Sequence, residues 1–163
     1  MDNKEFLAKF SSVFERSPWV AEAVYEAGVD GLLDDANALG ERFTSVFMGA
    51  DPDLQLATLR AHPRLVSALA IPQELSPDSV MEQSGAGLDQ CREAEMAEFN
   101  RLNEAYDEKF GFPFIIAVRG RQRLKILQLF RMRLHNDAVL EYQTAIRQTC
   151  QIALFRLGDV LGA

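Results

Sequence analysis

Apolar residues recur at intervals of three and four positions along almost the whole chain, without an internal repeat or a low-complexity tract. This spacing puts apolar side chains on one face of a helix, because an α-helix has about 3.6 residues per turn. The pattern therefore predicts an all-α fold, a single-domain bundle of about seven or eight helices across residues 1–163.

The pair Ser17-Pro18 predicts the start of a helix that continues through Ala27. Ser17 would be the N-cap and Pro18 the first helical residue, where its missing N–H costs nothing. Gly28 is placed to end this helix, since glycine readily adopts the left-handed conformation that follows many helices.

The pair Asp51-Pro52 repeats this start signal. The helix that it opens must end near Pro63, because proline biases the preceding residue away from helical geometry. That preceding residue is His62, so the sequence predicts that His62 lies at a helix end.

A long helix is predicted from about Ser79 to Phe110, with Gly111 placed to end it. At its start, Ser79-Val-Met-Glu82-Gln83 fits the pattern of a capping box, in which the serine and glutamate side chains bind helix-end amides. Two further helices are predicted near 121 to 135 and 138 to 161.

The segment 112–118, Phe-Pro-Phe-Ile-Ile-Ala-Val, breaks the helical pattern. A continuous apolar run of this length is typical of a buried strand, but a lone strand has nothing to pair with. We interpret it as an extended connection whose backbone groups must bind protein, water or ligand. It is either a ligand-facing wall or an apolar linker that crosses the core.

Composition narrows the choice of partners and location. The formal net charge is −7, which opposes broad attraction to nucleic acid or anionic lipid. No apolar run approaches the roughly 18 residues of a membrane span, and the N-terminus has no apolar signal core, so a cytoplasmic protein is expected. Cys91 and Cys150 lack metal-site spacing and are interpreted as buried free thiols.

Few side chains are suited to catalysis. His62 can transfer protons near neutral pH, although a single histidine at a helix end often has only a structural role. His135 is interpreted as a partner for a helix C-terminus, and the two histidines make a weak metal site. Arg156 lies in a mainly apolar stretch, so it either points inward and needs an anion or extends to solvent at the surface.

Six motifs, taken together, resemble one enzyme family. They are Glu15-Arg-Ser-Pro-Trp19, Ala61-His-Pro63, Ser79-Val-Met-Glu-Gln83 with Ser84-Gly-Ala-Gly-Leu88 after it, Asn103-Glu-Ala-Tyr106, Lys109-Phe-Gly-Phe-Pro-Phe114 and Ile152-Ala-Leu-Phe-Arg-Leu157. In this order they resemble the 2-oxo-4-hydroxy-4-carboxy-5-ureidoimidazoline (OHCU) decarboxylases, which convert the last unstable intermediate of urate oxidation to (S)-allantoin and carbon dioxide. Arg16 departs from the histidine of many relatives, and the stretch from Gly28 to Met48 matches poorly.

The resemblance implies that His62 is the catalytic acid/base and that Glu82, also catalytic, contacts the substrate. A carboxylate in this place can orient the His62 imidazole and stabilise its charged form. The resemblance also implies a small anionic substrate, and the expected substrate-binding residues are Pro63, Ser79, Gln83, Phe114, Ile115, Ile116, Ala117, Val118 and Arg156. No cofactor or metal is implied, because the substrate's own C=N bond can accept the electron pair that carbon dioxide leaves behind. An exposed apolar helix face would also allow a homodimer.

Two other functional classes stay open on the residues alone. A non-enzymatic helical interaction module would use the inward polar residues only for packing. A different cofactor-free lyase or hydrolase on the same scaffold would not act on the ureidoimidazoline.

Overall fold

The computed structural model describes residues 1–66 and 75–162, and all of the regular secondary structure in them is helical. Those residues form eight α-helices, one short 3-10 helix and no β-strand, which confirms the predicted all-α class. The helices are α1 (Asn3–Phe10), α2 (Trp19–Glu26), α3 (Ala36–Met48), α4 (Pro52–Ala61), α5 (Pro77–Gly85), α6 (Glu93–Phe110), α7 (Arg123–Arg133) and α8 (Ala138–Leu161), with the 3-10 helix at Leu88–Gln90.

The chain divides into two compact units. Unit 1 comprises Met1–Ala61 and Thr149–Ala163, and unit 2 comprises His62–Gln148. Helix α8 therefore contributes its first part to unit 2 and its last part to unit 1. The single domain expected for residues 1–163 stays a prediction.

Unit 1 has an aromatic core. The rings of Phe6 and Phe10 from α1 lie 4.7 Å apart, and both face Phe43 of α3. Phe14 and Trp19 each contact Phe47, one turn further along α3. These contacts explain the apolar spacing of the first 60 residues, since burial of large aromatic side chains supplies much of the stability of such a core.

The start of α2 corrects the predictions for Ser17 and Pro18, since the helix begins at Trp19 and Pro18 is at the N-cap position. The Ser17 hydroxyl donates to the carbonyl of Glu15 at 2.9 Å and accepts from the Thr58 hydroxyl, so Ser17 does not cap the helix. Trp19 also donates to Thr58, at 3.2 Å. The serine is used to join this turn to α4, a tertiary contact that outweighs local capping. Gly28, at φ +92°, follows α2 as predicted.

In unit 2 the predicted single helix from Ser79 to Phe110 is wrong, because the segment forms α5 and α6 with a break between them. Gly87 adopts a left-handed φ of +75° at the break, and the 3-10 turn follows it. The end at Phe110 and Gly111 is confirmed, as are the last two helices, with α7 two residues shorter at each end than predicted.

The core of unit 2 is centred on Tyr106 of α6. The rings of Phe112, Phe114 and Phe130 meet the Tyr106 ring edge-on, at centroid distances of 5.5 to 5.9 Å. Phe114 and Phe130 stack on each other 3.8 Å apart. The apolar segment 112–118 is therefore anchored in this core by its phenylalanines.

Two remaining sequence predictions concern thiols and membranes. Both cysteines are free, but only Cys150 is buried. Burial raises the pKa of the Cys150 thiol to about 11. Cys91 is partly exposed, which corrects the prediction for that residue.

Among the described residues, no helix is both long and apolar enough to span a bilayer.

Candidate active site

His62 directly follows α4, at the helix end where Pro63 was predicted to place it. His62 is buried, with only 9% of the residue exposed. Residues 62–66 form no helix, so this short stretch, here termed the His62 loop, depends on other contacts for its conformation.

Side chains from α5 and α6 hold the His62 loop. Gln83 accepts a hydrogen bond from the backbone N–H of Val66 at 2.9 Å, and Asn103 donates to the carbonyl of Leu65 at 3.0 Å. Arg64 forms an ion pair with Asp107 of α6. The loop is thereby fixed at three successive residues after Pro63.

Val66 shows that these contacts impose a conformation. Its φ is +66°, a left-handed value that a β-branched residue rarely adopts. Such strain persists only where the surroundings determine the backbone, and it is frequent at functional sites. The hydrogen bond from the Val66 N–H to Gln83 helps to hold the backbone in this conformation.

The capping box predicted at Ser79 is wrong, since the N-cap of α5 is Ser76. The Ser76 hydroxyl accepts from the Ser79 N–H at 3.2 Å and lies 3.1 Å from the Ser79 hydroxyl oxygen. Ser79, Glu82 and Gln83 are therefore interior helical residues, and their spacing of three and four places them on one face. Ser79 and Gln83 are buried and Glu82 is partly buried.

The Val66–Gln83 bond therefore brings two groups of predicted site residues together. It joins the His62 loop to the face of α5 that carries Ser79 and Glu82. Because the Gln83 oxygen accepts from Val66, its amide nitrogen is the part that can serve as a donor toward a ligand.

The segment 113–118 forms neither helix nor strand, and residues 114–118 are buried. Side chains from α7, from α8 and from Arg121, which precedes α7, bind much of its backbone. Arg133 donates to the Ile115 carbonyl at 2.6 Å, Gln148 accepts from the Ala117 N–H at 2.9 Å, and Arg121 donates to the Ala117 carbonyl at 3.0 Å. Neither the N–H nor the carbonyl of Ile116 itself is hydrogen-bonded to another described residue.

A buried polar cluster behind this segment was missed by sequence reasoning. Glu141 of α8 is fully buried, and one of its oxygens accepts from Tyr106 at 2.6 Å and from Arg133 at 2.7 Å. Burial and the bond to Glu141 raise the pKa of Tyr106, which keeps the phenol protonated and a donor. The only local signal was Tyr106 within the motif that starts at Asn103.

Arg156 belongs to unit 1, and its inward orientation is one of the two predicted alternatives. It is 4% exposed, and its guanidinium donates to Glu15 at 2.8 Å. A second, longer bond of 3.4 Å reaches the carbonyl of Ser12. The anion that an inward arginine needs is thus supplied, in this structure, by a carboxylate of the protein.

The family model of the OHCU decarboxylases matches residues 1–158. The chain belongs to the OHCU decarboxylase family. A uric acid degradation bifunctional protein of Bacillus subtilis is 37% identical, over 99% of this chain and 31% of that protein. The 2-oxo-4-hydroxy-4-carboxy-5-ureidoimidazoline decarboxylase of Halalkalicoccus jeotgali is 33% identical, over 98% of this chain and 86% of that protein.

Among solved structures, one described as (S)-allantoin synthase has a TM-score of 0.74 at 26% identity, over 98% of this chain and 51% of that chain. The present chain thus spans about a third of the Bacillus protein, about half of the synthase and most of the Halalkalicoccus protein. Within this OHCU decarboxylase family member, two quoted motifs make packing contacts: Glu15 and Ser17 bind other elements of unit 1, and Asn103 and Tyr106 bind within unit 2.

Proposed function

We propose that this protein decarboxylates 2-oxo-4-hydroxy-4-carboxy-5-ureidoimidazoline to (S)-allantoin and carbon dioxide, with His62 as the acid/base. Family membership supports the reaction. The observation that carries the site is the Val66–Gln83 hydrogen bond, because it joins the His62 loop to the face of α5 that presents Ser79 and Glu82.

The reaction needs proton transfers and charge control. When the bond to the carboxylate breaks, its electron pair moves toward the ring carbon of the adjacent C=N bond, whose own electrons move to nitrogen. The nitrogen takes up a proton, which leaves a C=C bond between the hydroxyl-bearing carbon and its neighbour. The hydroxyl then loses its proton as its oxygen becomes a carbonyl, and the electrons of the C=C bond take a proton at the neighbouring carbon on a single face. A histidine side chain can accept and donate protons near neutral pH, so it suits the last two transfers.

The other residues have supporting roles in this proposal. Glu82 orients the imidazole and stabilises its charged form. Pro63, Ser79 and Gln83 contact the substrate, and the 114–118 segment offers it backbone groups, among them the Ile116 N–H, which no other described residue binds. The role of Arg156 in binding the anionic substrate rests on the family resemblance.

A cytoplasmic location and a homodimer are also part of the proposal. Leu124, Met132 and Val139 are exposed on α7 and α8 of unit 2, and a second copy packed against these helices would bury them.

The activity can be tested in a fresh urate oxidation mixture that has passed through the hydrolase step. The wild-type protein should accelerate the appearance of optically pure (S)-allantoin, followed by circular dichroism. His62→Asn should lower kcat by about 10²- to 10⁴-fold while the far-ultraviolet spectrum and melting temperature stay close to wild type.

His135→Asn is the matched control, because His135 is the other histidine of the chain and is exposed. It should retain full activity. Turnover by His62→Asn within a few-fold of wild type would remove His62 from catalysis. An inactive wild-type protein would favour an interaction module or a different lyase or hydrolase.

A further inference from the structure

The buried cluster around Glu141 binds the backbone of the proposed substrate-binding segment through one of its members, Arg133. Glu141 accepts from Tyr106, from Arg133 and, through its second oxygen, from Asn136 at 3.0 Å. The second terminal nitrogen of Arg133 also lies 2.6 Å from Glu141. The guanidinium is therefore held on one side by a fixed carboxylate.

The other side of Arg133 meets the segment at two places. One terminal nitrogen donates to the Ile115 carbonyl at 2.6 Å, and the guanidinium carbon lies 4.3 Å from the centre of the Phe114 ring. That ring is stacked on Phe130 at 3.8 Å. Phe114 and the Ile115 carbonyl are thus both fixed by the same planar group.

This geometry determines the direction of the next backbone donor. The Ile115 carbonyl and the Ile116 N–H belong to one planar peptide unit, and in a trans peptide these two groups point in opposite directions. With the carbonyl bound to Arg133, the Ile116 N–H points away from the guanidinium. Neither the N–H nor the carbonyl of Ile116 is hydrogen-bonded to another of the described residues.

We infer that Arg133, held by Glu141, is a positioning residue that orients the Ile116 N–H toward the substrate. The inference rests on the proposed function, because it concerns the segment proposed to bind the ureidoimidazoline. It also explains why a buried ion pair is used here. An apolar pair of similar volume often stabilises a fold equally well, but it cannot fix a peptide unit.

Arg133→Lys is the first variant. Lysine keeps the positive charge beside Glu141 but lacks the planar fork that binds Glu141 and Ile115 at once. We expect kcat/KM to fall by about 10- to 100-fold, because small errors in positioning have effects of this order. The pH profile should keep its shape, since His62 is unchanged, and amides of residues 112–118 should exchange faster with deuterium.

Arg131→Lys is the matched control, because Arg131 lies on α7 like Arg133 but is exposed. It forms an ion pair with Glu98 of α6. This variant should leave kcat/KM and amide exchange within a few-fold of wild type. The double variant Arg133→Met/Glu141→Leu removes both buried charges together, so it avoids an unpaired buried charge. It should fold and show the same loss of kcat/KM.

A purely structural role predicts a lower melting temperature for Arg133→Lys, with normal kcat/KM and normal exchange of residues 112–118 below that temperature. That result would overturn the inference. Failure of the proposed function would appear differently, as a wild-type protein that is inactive on the ureidoimidazoline. The exchange measurement would then still decide whether Arg133 fixes the segment.

Discussion

At the scale of single residues, the charge of Arg156 is neutralised inside the protein by Glu15. Both side chains are almost fully buried, and a terminal nitrogen of Arg156 lies 2.8 Å from a carboxylate oxygen of Glu15. The sequence left open whether Arg156 points inward or to solvent. The contact that decides this joins residues 141 positions apart, so no local pattern could have predicted it.

Arg156→Met should destabilise the protein by about 3–5 kcal/mol, because it leaves the Glu15 charge buried without this partner. The double variant Glu15→Leu/Arg156→Met should recover most of that loss. Urea unfolding of both variants measures the difference. A single variant as stable as wild type would show that the pair does not have this role.

The double variant also tests the substrate role that the resemblance implies for Arg156. If Arg156 binds the anionic substrate, the folded double variant should have a KM raised by about tenfold or more, since a charged hydrogen bond of about 1.5–3 kcal/mol is lost. A normal KM in this variant would assign Arg156 to the fold of unit 1 alone.

At the scale of secondary structure, the start of α5 removes the capping role that the sequence predicted for Ser79 and Glu82. The pair Ser76-Pro77 is the same kind of start signal as Asp51-Pro52, and it lies three residues before the serine that the capping-box pattern selected. Gly87 then ends this stretch before α6. The capping box was predicted one turn too late, since Ser76 rather than Ser79 caps α5.

Ser76→Ala and Glu82→Gln should therefore have opposite effects. Ser76→Ala removes the N-cap and should cost about 1 kcal/mol of stability with little change in kcat. Glu82→Gln should leave the melting temperature near wild type and lower kcat about tenfold or more, because a charge that orients His62 is lost. Normal turnover by a stable Glu82→Gln protein would contradict the catalytic role.

At the scale of the whole molecule, the chain's chemistry is expected to need nothing beyond its own side chains and the substrate. The substrate's C=N bond accepts the electrons that decarboxylation releases, so no external electron acceptor is required. The chain has two histidines, of which His62 is buried and His135 is exposed.

Dialysis against a chelator should therefore leave kcat unchanged. The measurement compares initial rates of (S)-allantoin formation before and after treatment, and again after addition of divalent metal ions. A loss of rate on chelation that added metal restores would show that the reaction depends on a metal ion.

The sequence alone determined the features that depend on residues close together along the chain. Helical spacing predicted the all-α class, and glycine or proline placed the ends near His62, Gly28 and Gly111. These signals are local, because capping and backbone preferences act within about one helical turn. The absence of a helix at 113–118 was predicted for the same reason, from the loss of helical spacing.

The tertiary structure decided which polar groups meet. Ser17 binds Thr58 instead of capping α2, Gln83 holds Val66, and Glu141 holds Tyr106 and Arg133. A buried polar group must find a partner wherever the fold brings one, and that partner is seldom a sequence neighbour. The chain therefore encodes its helices locally, whereas the contacts that fix the His62 loop and the Ile115 carbonyl arise only when distant segments pack together.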